Sequence, residues 1–269
     1  MKKKSIELIT CMLVSTLFFL VSCAPSEEDT PTPVTNYKLS QASLFTEPSS
    51  SIVEYTGSGK VTNSGTKTSL SLIGSYQKTA TTIVGFEGRN TKTGTTSLIM
   101  KLNDGTTITS NNTEVLEISG DDLYALTVTG DDELIYAVES YAGISGVKIS
   151  PYQYAIKNNG GFATYSIQAC GSIIGECPSP TTVANHQYTF TMMGTEYINV
   201  DGANYESYKI KSIQKVLSNH SAFEAYEANS TVWYYPKLGV LKAEETATFE
   251  SGSIVELSYK AKSHNFGKP

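Results

Sequence analysis

Residues 188–210 read YTFTMMGTEYINVDGANYESYKI, and this stretch decides the fold. Tyr188, Phe190 and Met192 alternate with Thr189 and Thr191, the period of a strand with one apolar face and one wet face. YINV and ANYESYKI follow, separated by Asp201-Gly202, a pair that suits the two-residue hairpin turn with positive φ. Strand, turn and strand are therefore written into one short passage. The pattern spreads outward from there. Val255, Leu257, Tyr259 and Ala261 alternate with Glu256, Ser258, Lys260 and Lys262, and Leu70 and Leu72 with Ser69 and Ser71. Asp104-Gly105 separates SLIMKL from TTIT and predicts the same two-residue turn. Seventeen tyrosines and many Ser and Thr residues suit pleated, partly covered sheets.

No long stretch keeps a helical period. The best helical candidate is Asn219 to Ala228, too short to stand without packing. Gly120-Asp121-Asp122-Leu123-Tyr124 is echoed ten residues later by Gly130-Asp131-Asp132, the spacing of one strand plus one turn in a meander. Residues 37–262 contain no proline-rich linker, so one continuous sheet is expected rather than two domains. A long sheet must twist and curl to cover its apolar face. The expected architecture is all-β: a single large, strongly curved antiparallel sheet with at most a short helix.

The N-terminus speaks of location. Lys2, Lys3 and Lys4 precede an apolar run from Leu8 to Val21, too short for a comfortable span and flanked like a secretory signal. Its end, Leu20-Val21-Ser22-Cys23, resembles the lipobox of bacterial lipoproteins, which implies cleavage before Cys23 and palmitate-type acylation of that cysteine. The expected organisation is a signal peptide over 1–22, acylated Cys23 and a tether over 23–36, the β domain over 37–262 and a tail over 263–269. Ala24 to Asn36, with three prolines and three acids, reads as an extended spacer reaching roughly 40 Å at most. Glu27-Glu28-Asp29 resembles a surface-export address of some Bacteroidetes-like lipoproteins, although a solubilising linker is the preferred reading. The expected location is the cell envelope, at the outer membrane facing the periplasm, with surface exposure as the alternative.

Charge and cysteines narrow the function. The net charge of −6 becomes −8 once three N-terminal lysines and Glu7 are removed. That argues against nucleic acid and against electrostatic binding to anionic lipid heads. Of four cysteines, Cys11 falls in the signal and Cys23 carries lipid, leaving Cys170 and Cys177 in an oxidising compartment, where a disulfide is expected. A metal or redox pair there would lack both a CxxC and a nearby His. His186, His220 and His264 are far apart in sequence and read as surface or loop residues. Asp121, Asp122, Asp131 and Asp132 lack the D-x-D-x-D order of a calcium loop. Three S-x-x-K matches, at Ser75, Ser145 and Ser212, signal chance, and no G-x-S-x-G elbow occurs. No catalytic residue, metal or cofactor is expected.

A longer pattern lies near the C-terminus. Gly194 to Gly202, then Tyr205, Tyr208-Lys209-Ile210, and Thr231-Val232-Trp233-Tyr234-Tyr235-Pro236-Lys237-Leu238-Gly239-Val240-Leu241-Lys242 resemble a class of uncharacterised bacterial envelope domains. Their layout is similar to lipoprotein-carrier half-barrels of the LolA/LolB type. The resemblance covers roughly 188–262 and implies a curved sheet with an apolar concave side. Alternation puts Trp233 and Tyr235 on one face and Val232 and Tyr234 on the other. Core packing is the expected role of Trp233, ahead of a sugar platform. Gly239 suits a turn or bulge before the next strand. The expected function is non-enzymatic: a lipid-anchored envelope protein holding an apolar small molecule or a partner protein's segment against strands 188–192, 205–210 and 233–235. The alternative is a structural or surface-interaction lipoprotein with a filled core. An envelope hydrolase is the remaining reading, and would need the acids at 121–132 to converge in a cleft.

Overall fold

The computed structural model describes residues 50–80, 91–119, 122–129, 135–138, 151–169, 181–218, 224–235 and 238–265. Their strands are β1 (Ser50–Asn63), β2 (Thr66–Ala80), β3 (Thr91–Leu102), β4 (Thr107–Ser119), β5 (Asp122–Thr129) and β6 (Ile135–Val138). After helix α1 (Pro151–Asn158) come β7 (Gly161–Ala169), β8 (Thr181–Val200), β9 (Ala203–Ser218), β10 (Tyr226–Tyr235), β11 (Gly239–Phe249) and β12 (Ile254–His264). Each strand pairs antiparallel with its neighbour in sequence, as expected of one continuous sheet. The curvature carries β1 round to β12, so the hydrogen-bonded ladder returns on itself as a barrel. The ladder is uneven. From β8 round through β12 and β1 to β4 the strands pair over long registers, whereas β6 meets β5 and β7 over three residues each.

Turn chemistry explains the hairpins. Asp201 and Gly202 both have positive φ, 49° and 78°, and Val200 pairs directly with Ala203, as the two-residue turn requires. Ser64-Gly65 repeats this between β1 and β2. The Asp104-Gly105 turn is longer than expected. Only Gly105 has positive φ there, its N–H donates to Leu102 O, and Leu102 N–H donates to Thr106 O. Asn103, Asp104 and Gly105 thus form a three-residue loop with a bulge. The β11–β12 loop at Glu250–Gly252 is built in the same way.

Close curling needs missing side chains. Gly57 and Gly59 of β1 sit at inward positions opposite Tyr259 and Leu257. A Cβ at Gly59 would lie 2.3 Å from Glu256 O, and one at Gly57 2.4 Å from Ser258 O. These glycines let β12 press closely onto β1.

The helical expectation over 219–228 fails where it can be followed, because β10 begins at Tyr226. The one helix among the described residues, α1, was not anticipated. Pro151 opens it, its fixed φ suiting the first helical position. Asn159 closes it in the left-handed region (φ 53°), with Gly160 N–H donating to Ala155 O at 2.8 Å and Asn159 N–H to Ile156 O at 3.4 Å. Cys23, Cys170 and Cys177, the tether and Asp121, Asp131 and Asp132 lie outside the described residues. β12 runs to His264, two residues beyond the expected domain end.

The faces are cleanly sorted. Inward positions carry residues such as Leu72, Met100, Tyr188, Ile210, Val232, Phe249 and Val255, all buried. Outward positions on the same strands carry exposed Lys60, Lys101, Lys211, Glu244, Thr246 and Lys260. An apolar inside and a charged outside is the reverse of a barrel that crosses a membrane with its strands.

Candidate functional site in the barrel interior

Cross-strand register places small residues along the inner wall. One inward row runs Phe190–Ser212–Ser230–Glu245–Leu257–Gly59, and the rows beside it contribute Ala228, Ala243, Ala247 and Gly57. A floor of Gly, Ala and Ser leaves a trough between larger side chains, and α1 fills it. Tyr152 of α1 is 3% exposed and Ala155 fully buried. The Tyr152 ring lies 5.5 Å from that of Tyr234. Gly160, just after the helix, approaches Phe190 so closely that a Cβ would sit 2.7 Å from its carbonyl oxygen.

Several polar groups are buried among the described residues. Tyr152 and Tyr259 have hydroxyl pKa values pushed well above the ordinary range, first by burial and then by neighbours that include Glu245. Tyr55 packs edge-on against Tyr259 at 5.7 Å and donates to Val240 O at 3.0 Å. His186 is buried, not a surface residue as its sequence context suggested. Its Nδ1 lies 3.0 Å from Tyr188 Oη and 2.8 Å from Gln214 Nε2. Burial lowers its pKa to about 4, so the ring is neutral at pH 7. Ser212 and Ser230 hydroxyls meet at 3.2 Å. Tyr152 Oη, Tyr259 Oη and Gln214 Oε1 are buried with no hydrogen-bond partner among the described residues. Buried polar atoms of that kind carry a desolvation cost unless water or a ligand meets them.

The tyrosine-rich stretches divide between the two faces. Tyr188, Phe190, Met192, Tyr208 and Tyr234 point inward, as a concave lining requires. Tyr205 and Tyr235 do not. A bulge at Met193-Gly194 turns the end of the β8–β9 hairpin into an arm with buried Ile198, Val200 and Tyr205 on one face. Tyr205 packs edge-on against Tyr235 and His264, and its hydroxyl meets His264 Nε2 at 2.6 Å. Trp233 is buried with the core, yet its outward register sets it beside Lys209 and Lys242. Their ammonium groups lie 5.1 and 3.9 Å from the ring centroid. At 3% exposure it offers no open sugar platform. The Trp233 indole and then Lys209 lower the pKa of Glu196 on the arm. Gly239 takes positive φ, and the β10–β11 register slips beside it between Trp233 and Tyr234, the bulge its position suggested.

Neither a protein family nor a curated protein matches the chain. Solved structures of similar shape include a Bacteroides fragilis protein with a YmcC-like fold, 12% identical at TM-score 0.41, covering 79% of this chain and 95% of that one. A candidate lipoprotein from Parabacteroides distasonis is 12% identical at TM-score 0.33, with the same coverages. The hypothetical lipoprotein YmcC from Escherichia coli is 13% identical at TM-score 0.33, covering 79% or more of each chain: 83% of this one and 89% of that one.

Proposed function

We propose that this chain is a lipid-anchored protein of the bacterial cell envelope, held at the outer membrane and facing the periplasm, that binds and does not catalyse. Its ligand is an apolar molecule with a small polar end, taken into the trough beneath α1. The observation that supports this most is the set Tyr152 Oη, Tyr259 Oη and Gln214 Oε1, buried in the interior without partners among the described residues. An apolar enclosure with a few convergent polar groups is the usual make-up of a small-molecule site. The N-terminal Leu20-Val21-Ser22-Cys23 supports the anchor.

The test is intact mass of protein purified from membranes, before and after solvent extraction. Cleavage at Cys23 plus acyl chains, with a releasable apolar species, is the expected result. Acylated protein that releases nothing, from wild type and from a Tyr152→Ala variant offered the same membrane extract, overturns the ligand. It would favour the second reading, an interaction lipoprotein with a filled core. The observation behind that alternative is Tyr152 itself, which already occupies the trough.

A further inference from the structure

Antiparallel connectivity gives the barrel two unlike rims. Ser50, where the described chain enters, lies at the rim that also carries α1, the arm, the β10–β11 turn and the end of β12. The opposite rim carries the tight turns at Ser64-Gly65, Asn103–Gly105 and Glu250–Gly252. Three large apolar or aromatic side chains among the described residues stand in solvent at the entry rim. Tyr197 on the arm is 67% exposed, Met193 at its root 46%, and Phe162 at the start of β7 59%. The other exposed large hydrophobics among the described residues are aliphatic and lie elsewhere: Ile73 and Ile99 face each other mid-wall, and Leu217 is near the far end of β9.

The chain outside the barrel decides what meets this rim. Cys23 and Ser50 are 27 residues apart. A lipid on Cys23 joins the barrel through Ser50, so the entry rim, and not the far one, is the rim nearer the anchor along the chain. Tyrosine with exposed apolar neighbours is what membrane–water interfaces favour. Attraction to anionic lipid heads is not the cause, because the arm carries Glu196, Asp201 and Glu206 and the chain is acidic overall.

We infer that the entry rim seats on the bilayer surface, with Tyr197, Met193 and Phe162 entering the headgroup region. This rests on the lipid-anchor reading. The experiment uses full-length acylated protein in vesicles of phosphatidylcholine and phosphatidylethanolamine, with brominated lipid as quencher. In a Trp233→Phe background, a Tyr197→Trp reporter is compared with a Lys67→Trp reporter at the far rim. The expected result is blue-shifted, quenched emission from Tyr197→Trp alone, unchanged by high salt. Protein that floats with the vesicles while Tyr197→Trp stays unquenched, or while both reporters are quenched alike, overturns the seating but leaves the anchor standing. Protein that carries no acyl mass and does not float overturns the anchor and this inference together.

Discussion

The two sides of the barrel are held by very different amounts of ladder. β8 and β9 pair from Ala184 with Ser218 to Val200 with Ala203, and β1 and β2 pair without interruption from Ser50 with Thr79 to Asn63 with Thr66. Across the ring, the described residues of β6 contribute Tyr136–Val138 to β7 and Ile135–Ala137 to β5. The lesson is that closure and cohesion are separate properties. Among the described residues the ring is complete in pairing while its ladder is thinnest at β6, and local opening is expected at that seam, where the fewest backbone bonds must break.

Proline separates the two sides most sharply. Lys211 is exposed on β9 and pairs with both Thr191 and Thr231, so Lys211→Pro removes ladder bonding from a central strand without touching the core. It should abolish folding, read as loss of the near-ultraviolet circular dichroism signal. Ala137→Pro in β6 should leave that signal and the Trp233 emission in place, with faster amide exchange confined to 122–138 and 161–169. Equal damage from both would show that the seam carries as much stability as the thick wall.

Acid probes the wall from inside. His186 is held neutral by burial, with its pKa lowered from 6.5 to about 4. The unfolded chain takes up the proton first as pH falls. This stability is therefore complete above pH 6.5 and is lost progressively toward pH 4, by about 3 kcal/mol. Urea midpoints at both ends of that window should differ less for His186→Gln than for wild type.

The close β1–β12 approach gives a smaller effect. Gly59→Ala meets backbone oxygen and should cost about 1–3 kcal/mol in urea unfolding. Gly74→Ala meets first the movable Leu98 Cδ2 and should cost less. The smallest effect lies outside the wall: Lys242→Ala removes one ammonium from Trp233 and should cost about 0.5–1 kcal/mol, with a shift in tryptophan emission.

The wall was far more legible in the sequence than what fills it. Period-two alternation in β2, β8 and β12 exposes the strands directly, because one of their faces is wet and the other dry. Asp201-Gly202 gives its turn away because its backbone needs positive φ at both residues. At Asp104-Gly105 the same dipeptide misleads by one residue, since only the glycine takes positive φ. α1 was missed because eight residues carry little periodicity and its stability comes from the trough it enters. Pro151 followed by Asn159-Gly160 was the available signal. His186 was misplaced because a lone histidine between Asn185 and Gln187 looks wet, whereas its inward register and the Gln214 amide across the strand pair make it part of the core. Tyr205 and Tyr235 miss the lining because alternation sets them opposite Tyr208 and Tyr234, and what the alternation does not show is that the arm beyond the Met193-Gly194 bulge covers their face.

The meeting of β1 with β12 also governs the order of events during folding. Gly57 faces Tyr259, and Ile52 O accepts from Asn265 N–H while Ile52 N–H donates to Asn265 Oδ1, contacts more than two hundred residues apart in sequence. Loops of that size close late and slowly. A chain delivered from its N-terminus keeps the outer edge of β1 unpaired until β12 arrives. Until that moment the first strand is an open template for any neighbouring chain, so the C-terminal strand completes the fold and also removes its most exposed route to misassembly.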